Sequence, residues 1–319
     1  MSLLFVPDDI VFVVKYAIKM LKTIPETTKE IKLCGCTLYA YYCMHIERED
    51  ERIPYTDYTA YKEFHKTVQS SYDISDDVLP PETKKSKQVA VAYSEYFQKL
   101  VHWNQMPPCS PYLCVDLVNF KDLERFSLYS VWCKEIMHIP QTLQYLDCGG
   151  CGIVKITKLP RTLEFLNCNY NKLKFLPPLY FTKLKALFCD FNELIYIPML
   201  PKSVEFVSCS YNVLNELPCP LPESLETLSC ANNQLTILPP IPPKLIGLYV
   251  DKNFLKTIPE LPKSVIDLFF ANNEVSKMPE LPVFLKRISC YKNPIKQYTP
   301  FPPSVHYANI DGTVMKLHC

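Results

Sequence analysis

The chain has 319 residues, 48% of them hydrophobic, and a formal net charge of +1. That is core enough for two average domains or one long solenoid, and the balanced charge excludes a globally basic binder of nucleic acid or of an acidic membrane surface. The 15 cysteines, an odd number, argue against a disulfide framework.

The opening Met1-Ser-Leu-Leu-Phe-Val-Pro-Asp-Asp9 run is too short for a signal-peptide core, and acids come at once after it. Ser2 stands where myristoylation requires glycine. No apolar run approaches the ~20 residues needed to span a bilayer. The expectation is a reducing, intracellular (cytoplasmic) setting with no membrane partner.

Residues 1–80 form an N-terminal region with two competing readings. Residues 8–23 can form a helix that opens on two acids and ends in lysines, in keeping with the helix dipole. Alternatively, residues 11–36 align without a gap to 126–151, matching Ile24 to Ile139, Pro25 to Pro140, Ile31 to Leu146 and Cys36 to Cys151. A degenerate repeat near 11–38 would explain that match, as it would the identity of Leu21-Lys-Thr-Ile-Pro-Glu26 with Leu255–Glu260. Residues 46–90 are polar, and 70–87 run from acidic through proline to basic, the pattern of a linker or long surface loop. Residues 81–125 read as this linker and then a helical hairpin. Its first helix, 88–105, places Val91, Tyr93, Tyr96, Leu100 and Trp103 mainly on one face, and Met106-Pro107-Pro108 stops it. A second amphipathic helix is expected over 112–123, the two together capping the apolar flank of the segment that begins at 126.

From 126 to 319 the chain repeats itself every 20 or 21 residues. One copy is Leu225-Glu-Thr-Leu228-Ser-Cys230-Ala-Asn-Asn233-Gln-Leu235-Thr-Ile-Leu238-Pro239, giving the pattern L-x-x-L-x-C-x-x-N-x-L-x-x-L-P. Such a period is the mark of a leucine-rich repeat (LRR) solenoid. A worn starter covers 126–139, with Phe126 leading and Lys134 where Asn is expected. Eight fuller units begin at Leu143, Leu163, Leu184, Val204, Leu225, Leu245, Val265 and Leu285, and a partial ninth begins at Val305. Of the 29 prolines, 21 lie from Pro140 onward, so they belong to the repeat and do not mark disorder.

The fold expected is therefore an α+β repeat solenoid. It is an LRR horseshoe with a parallel β-sheet on the concave face, extended or polyproline II returns on the convex face, and an N-terminal helical cap. Positions one, four and six of each unit point inward. The ninth-position asparagines, Asn171, Asn192, Asn212, Asn233, Asn253, Asn273 and Asn293, should bond backbone groups of neighbouring turns, with Cys151 replacing Asn in the first full unit. Cys148, Cys168, Cys189, Cys209, Cys230 and Cys290 share the sixth position with Val250 and Phe270, so the column selects apolar packing and not a metal.

Positions three, five and seven line the concave face, and eight of these 27 residues are aromatic while five are Asp, the wrong charge for nucleic acid. The candidate partner-binding residues are Tyr145, Asp147, Phe165, Asn167, Phe188, Asp190, Phe206, Tyr249, Asp251, Asp267, Phe269, Arg287 and Tyr291. The six histidines are scattered, and no phosphate loop, zinc motif or nucleophile elbow is present. The reading is a non-catalytic scaffold for a protein partner, with no cofactor and no metal.

The return Pro259-Glu-Leu-Pro-Lys-Ser264 and the upstream Tyr96-Phe97, Trp103 and Pro107-Pro108 resemble the short LRR of the IpaH and YopM families of bacterial type III effectors, over roughly 90–319. Cysteine at position six is more similar to the proline-rich LRR proteins of giant DNA viruses. Either resemblance implies an intracellular interaction protein, and the first a host-directed effector; the catalytic domain of IpaH-type ligases has no counterpart here. A different resemblance lies in Asn119-Phe-Lys-Asp-Leu-Glu-Arg-Phe-Ser-Leu-Tyr-Ser-Val-Trp132, which is similar to the second half of an F-box. That would imply a substrate adaptor of a ubiquitin ligase.

Overall fold

A computed structural model of the protein describes residues 17, 21–22, 24–34, 114–129, 131, 133–310 and the backbone of 313–316. The chain divides into two compact units, 1–157 and 158–319. Both are LRR-like parallel-sheet solenoids.

In the first unit the short strands alternate between two sheets. Strands β1 (Glu30–Cys34), β3 (Arg125–Tyr129) and β5 (Tyr145–Asp147) pair in parallel as the front sheet, with Ile31, Phe126 and Leu146 in register. Strands β2 (Cys114–Asp116), β4 (Glu135–Met137) and β6 (Lys155–Ile156) form a second parallel sheet with Val115, Ile136 and Ile156 in register. All six of these apolar residues are buried. The register places Phe126 at the fourth position of its repeat, so the starter begins at Leu123 and not at Phe126. Val131, not Lys134, then stands in the asparagine place. The same register puts Ile31 at position four, where its self-alignment partner Leu146 also lies. The amides of Glu124 and Arg125 donate to Lys29 O (2.8 and 3.0 Å), as those of Gln144 and Tyr145 do to Glu124 O (2.8 and 3.1 Å). The hexamer shared with Leu255–Glu260 falls at different repeat positions.

The second unit carries β7 (Phe165–Asn167), β8 (Ala186–Phe188), β9 (Phe206–Ser208), β10 (Thr227–Ser229), β11 (Gly247–Tyr249), β12 (Asp267–Phe269), β13 (Arg287–Ser289) and β14 (Tyr307–Ile310), each parallel to the next. Strand β15 (Thr313–Lys316) pairs antiparallel with β14, Asp311-Gly312 lying between them in sequence. The columns at positions one, four and six are almost wholly buried, the cysteines Cys168, Cys189, Cys209, Cys230 and Cys290 among them. The returns of this unit contain neither strand nor helix. Position fifteen supplies a reason in six units: Met137 and Thr157 in the first unit give way to Pro177, Pro198, Pro218, Pro239, Pro259 and Pro279, which have no amide to donate to a second ladder, whereas Thr299 holds the place in the unit from Leu285.

Two hydrogen-bond ladders join the turns. Asn192 Nδ2 donates to the carbonyls of Cys168 (2.9 Å), Cys189 (3.2 Å) and Asp190 (3.1 Å), while its Oδ1 accepts the Leu173 amide (3.0 Å). Asn212, Asn233, Asn253, Asn273 and Asn293 repeat the pattern. Asn171 Nδ2 donates to Cys168 O (2.9 Å), and Cys151 Sγ donates to Leu128 O (3.0 Å) in the turn before its own. The second ladder is hydroxylic. Thr142, Ser203, Ser224, Ser264 and Ser304 each donate to the first-position carbonyl of the preceding turn, at 2.6–2.8 Å. The asparagine ladder satisfies amides and carbonyls, and the hydroxyl ladder carbonyls, that the three-residue strands leave unpaired.

The described residues depart from the α+β expectation. Only Ala17 and Leu21 are helical. The expected helix over 112–123 is, across its described residues, strand β2 and then turns, because Val115 joins an apolar column shared with Ile136 and Ile156 instead of a helical face. The helices expected over 88–105 and most of 8–23, and the polar segment 46–90, lie outside the described residues.

Candidate functional site on the front sheet

The side chains at positions three, five and seven alternate with the buried ones because successive residues of a strand point to opposite faces. In the first unit they form a cationic and aromatic group. The Arg125 guanidinium lies 4.0 Å from the Tyr145 ring centroid, and Lys32 Nζ 5.6 Å from that of Tyr129. Asp147 is buried beneath them and accepts the Tyr129 hydroxyl (2.9 Å), the Tyr145 hydroxyl (3.4 Å) and the Gly149 amide (3.3 Å). Burial, then the Asp147 charge, pushes the Tyr145 phenol above its ordinary range, and burial does the same to Tyr129. Sequence reasoning misses Arg125 and Tyr129, because the starter register it expects is displaced by three residues, and Lys32, because it lies in a segment read only as a possible outlying repeat.

In the second unit the front face has two aromatic rows. Phe188 lies 5.5 Å from Phe165 and 4.8 Å from Phe206, centroid to centroid, all three half-buried. Tyr249 and Phe269 are 5.2 Å apart, and Tyr307 is 6.2 Å from Phe269. Gly247 underlies the Tyr249 ring: a Cβ there would sit 2.8 Å from the ring's Cε2. The carboxylates differ in their partners. Asp190 accepts both bonds of Ser208 Oγ (2.7 and 2.8 Å) and the Ser210 amide (2.6 Å), though burial still raises its pKa. Asp267 is buried in a two-pronged pair with Arg287 and accepts the Tyr249 hydroxyl (3.0 Å). Its carboxylate raises the Arg287 pKa. Asp251, at position seven, is pushed up to about 6 by burial. Asn167 Oδ1 accepts the Asn169 amide (3.0 Å), and Lys292 Nζ lies 5.9 Å from the Tyr291 ring centroid.

A second aromatic feature lies at position eight. Tyr170, Phe191 and Tyr211 all have left-handed backbones (φ 54 to 56°) and stack at 4.4 and 4.1 Å with rings 9–10° apart. Left-handed φ is unfavourable for bulky residues. Other units use Gly150, Asn232, Lys252, Asn272 and Lys292 at the same place. No spacing signal separates this column from the alternation beside it.

His138 Nδ1 lies 2.9 Å from Asp116 Oδ1, but the nearby Thr142 hydroxyl donates to the Lys121 and Leu123 carbonyls and not to the imidazole. Among the described residues no group of three or more His, Cys, Asp or Glu is placed to hold a metal, and no helix is long and apolar enough to cross a membrane. The F-box-like stretch contains strand β3, with Phe126 and Leu128 in the buried columns.

A Leucine Rich Repeat family model matches residues 224–245. Among solved structures, YopM from Yersinia enterocolitica WA-314 is 27% identical with a TM-score of 0.50, covering 64% of this chain and 53% of its own. YopM from Yersinia pestis, described as a leucine-rich effector protein, is 24% identical with a TM-score of 0.45, covering 68% of this chain and 82% of its own. The functional domain of InlJ from Listeria monocytogenes, which includes a cysteine ladder, is 23% identical with a TM-score of 0.53, covering 62% and 46%. This chain thus spans about half the length of the first and third of these. No curated protein matches it. The chain is a leucine-rich repeat protein that resembles the LRR regions of bacterial effectors.

Proposed function

We propose that the protein is a non-catalytic interaction scaffold that binds a protein partner on its front sheet, the face expected to be concave, in the manner of a host-directed effector. One observation carries this reading: the Phe165–Phe188–Phe206 row keeps its rings partly exposed on strands held by the asparagine ladder. Preformed aromatic surface costs little to order on binding, and such rings are the usual anchors of interfaces. The rings also cover one another, which by itself would need no partner. The buried thiols Cys189, Cys209 and Cys230 suit a reducing compartment such as the cytoplasm.

Replacing Phe165, Phe188, Phe206 and Phe269 together by Ala should reduce partner capture at least roughly tenfold in a quantitative pull-down, with the folded circular-dichroism signal retained. Equal capture of the same partners by the variant would remove the front sheet as the site. Deleting 109–132 tests the F-box-like adaptor against it; co-purification of a cullin-ligase linker that this deletion abolishes would favour the adaptor.

A further inference from the structure

Asp251 stands apart from the other inner-face carboxylates of the second unit. Asp190 is met by Ser208 and Ser210, and Asp267 by Arg287 and Tyr249. Asp251 accepts one bond from another residue, the Ala271 amide on Oδ1 at 2.8 Å. Among the described residues no basic side chain pairs with it. Its neighbours in the seventh-position column are Ala231 and Ala271, so no side chain longer than a methyl stands beside it on either turn. The turns are locked side by side by the Asn232 amide on Asp251 O and the Lys252 amide on Ala271 O, both 2.8 Å. Two residues earlier on the same strand face stands Tyr249, whose ring lies 5.2 Å from that of Phe269.

We propose that Asp251 is the anchor point for one basic side chain, arginine or lysine, of the protein that binds the front sheet, with the Tyr249–Phe269 ring pair flanking the incoming cation. The proposal rests on the front-sheet reading above. A half-buried carboxylate that lacks a cation is costly, and a partner that brings one recovers the Coulomb energy in a poorly hydrated place. The half-buried Tyr249 and Phe269 rings nearby favour a cation over a neutral group. The charged and titratable groups nearby leave it without an ion pair. Lys252, exposed on the left-handed turn, lowers the Asp251 pKa through its charge but forms no salt bridge with it, Arg287 is committed to Asp267, and the Cys230 thiol is buried with its pKa pushed up to about 12. The burial that raises the Asp251 carboxyl to about 6 has the same origin.

A phage-displayed library of random dodecapeptides, selected on the immobilised full chain, tests this. Retained peptides should carry Arg or Lys beside apolar residues. Asp251→Asn, which keeps an acceptor for the Ala271 amide, should weaken them roughly tenfold or more, and replacing the peptide's basic residue by Ala should then cost nothing further. Peptides weakened by Phe165→Ala, Phe188→Ala and Phe206→Ala but indifferent to Asp251→Asn would overturn the anchor and leave the front-sheet reading standing. Peptides indifferent to all four changes, or a library from which nothing is retained, would overturn both.

Discussion

At the residue scale, the inner-face carboxylates show how partners decide cost. Asp251 has a folded pKa of about 6 against an ordinary value of 3.8, because burial disfavours its charged form. A raised carboxyl contributes most to stability when protonated in both states, below about 4, and that contribution is lost as pH rises from about 4 to about 6. Asp251→Asn removes the ionised form. It should therefore raise stability above pH 7 by an amount on the order of 2 kcal/mol and change it little at pH 4. Urea unfolding at the two pH values checks this; equal effects at both would mean that the charge is not the cause. A residue whose removal stabilises the free protein while weakening binding is the expected signature of a site kept for a partner.

At the scale of the element, the sixth-position cysteines act as small apolar side chains. Their common slot with Val250 and Phe270 indicates this in the sequence, and the buried column agrees. Burial, with neighbouring thiols and carboxylates adding to it, raises the Cys189 and Cys209 thiols well above their ordinary value. The thiolate is the reactive species, so these groups should resist iodoacetamide at pH 8 in the folded protein and react after denaturation. The exposed Cys219 should react in both states. Peptide mapping by mass spectrometry distinguishes the two, and rapid native labelling of Cys189 or Cys209 would show that the column opens. The starter repeat lies three residues from its expected place for a related reason: Val131 and Met137 occupy the places where Asn and Pro mark most of the later units. With both markers gone, the pairing of Phe126 with Ile31 on one side and Leu146 on the other sets the register. Strand β2 is hidden in the sequence because three residues carry too little periodicity to outweigh a nearby helical pattern.

At the scale of the whole molecule, repeats stabilise one another only through nearest neighbours, so the end turns matter most. Strand β15 folds back on β14 and leaves no parallel continuation at that side. Ending the chain after Ile310 should uncover β14 as a free edge, lower the thermal midpoint by a few degrees and increase aggregation measured by light scattering. An unchanged midpoint and a monodisperse solution would show that β15 protects nothing. At the other side, β1 pairs with β3 although residues 35–113 and strand β2 lie between them in sequence. The match of 11–36 to 126–151 points to a repeat there, but not to which strand it joins.

The solenoid, the inward columns, the asparagine ladder and the alternation that assigns side chains to the front face of the second unit are legible in the chain alone. They depend on local periodicity, since alternation along a strand and a 20- or 21-residue repeat need no distant information. Which of those front-face groups are satisfied is settled only by tertiary contacts. Among the described residues Asp267 meets Arg287, Asp190 meets Ser208, and Asp251 meets the Ala271 amide, because each of these partners lies on the next turn, 18 to 20 residues away. Tertiary contacts also settle where the second sheet stops and where Tyr170, Phe191 and Tyr211 stack, since both depend on how one turn's backbone lies against another's.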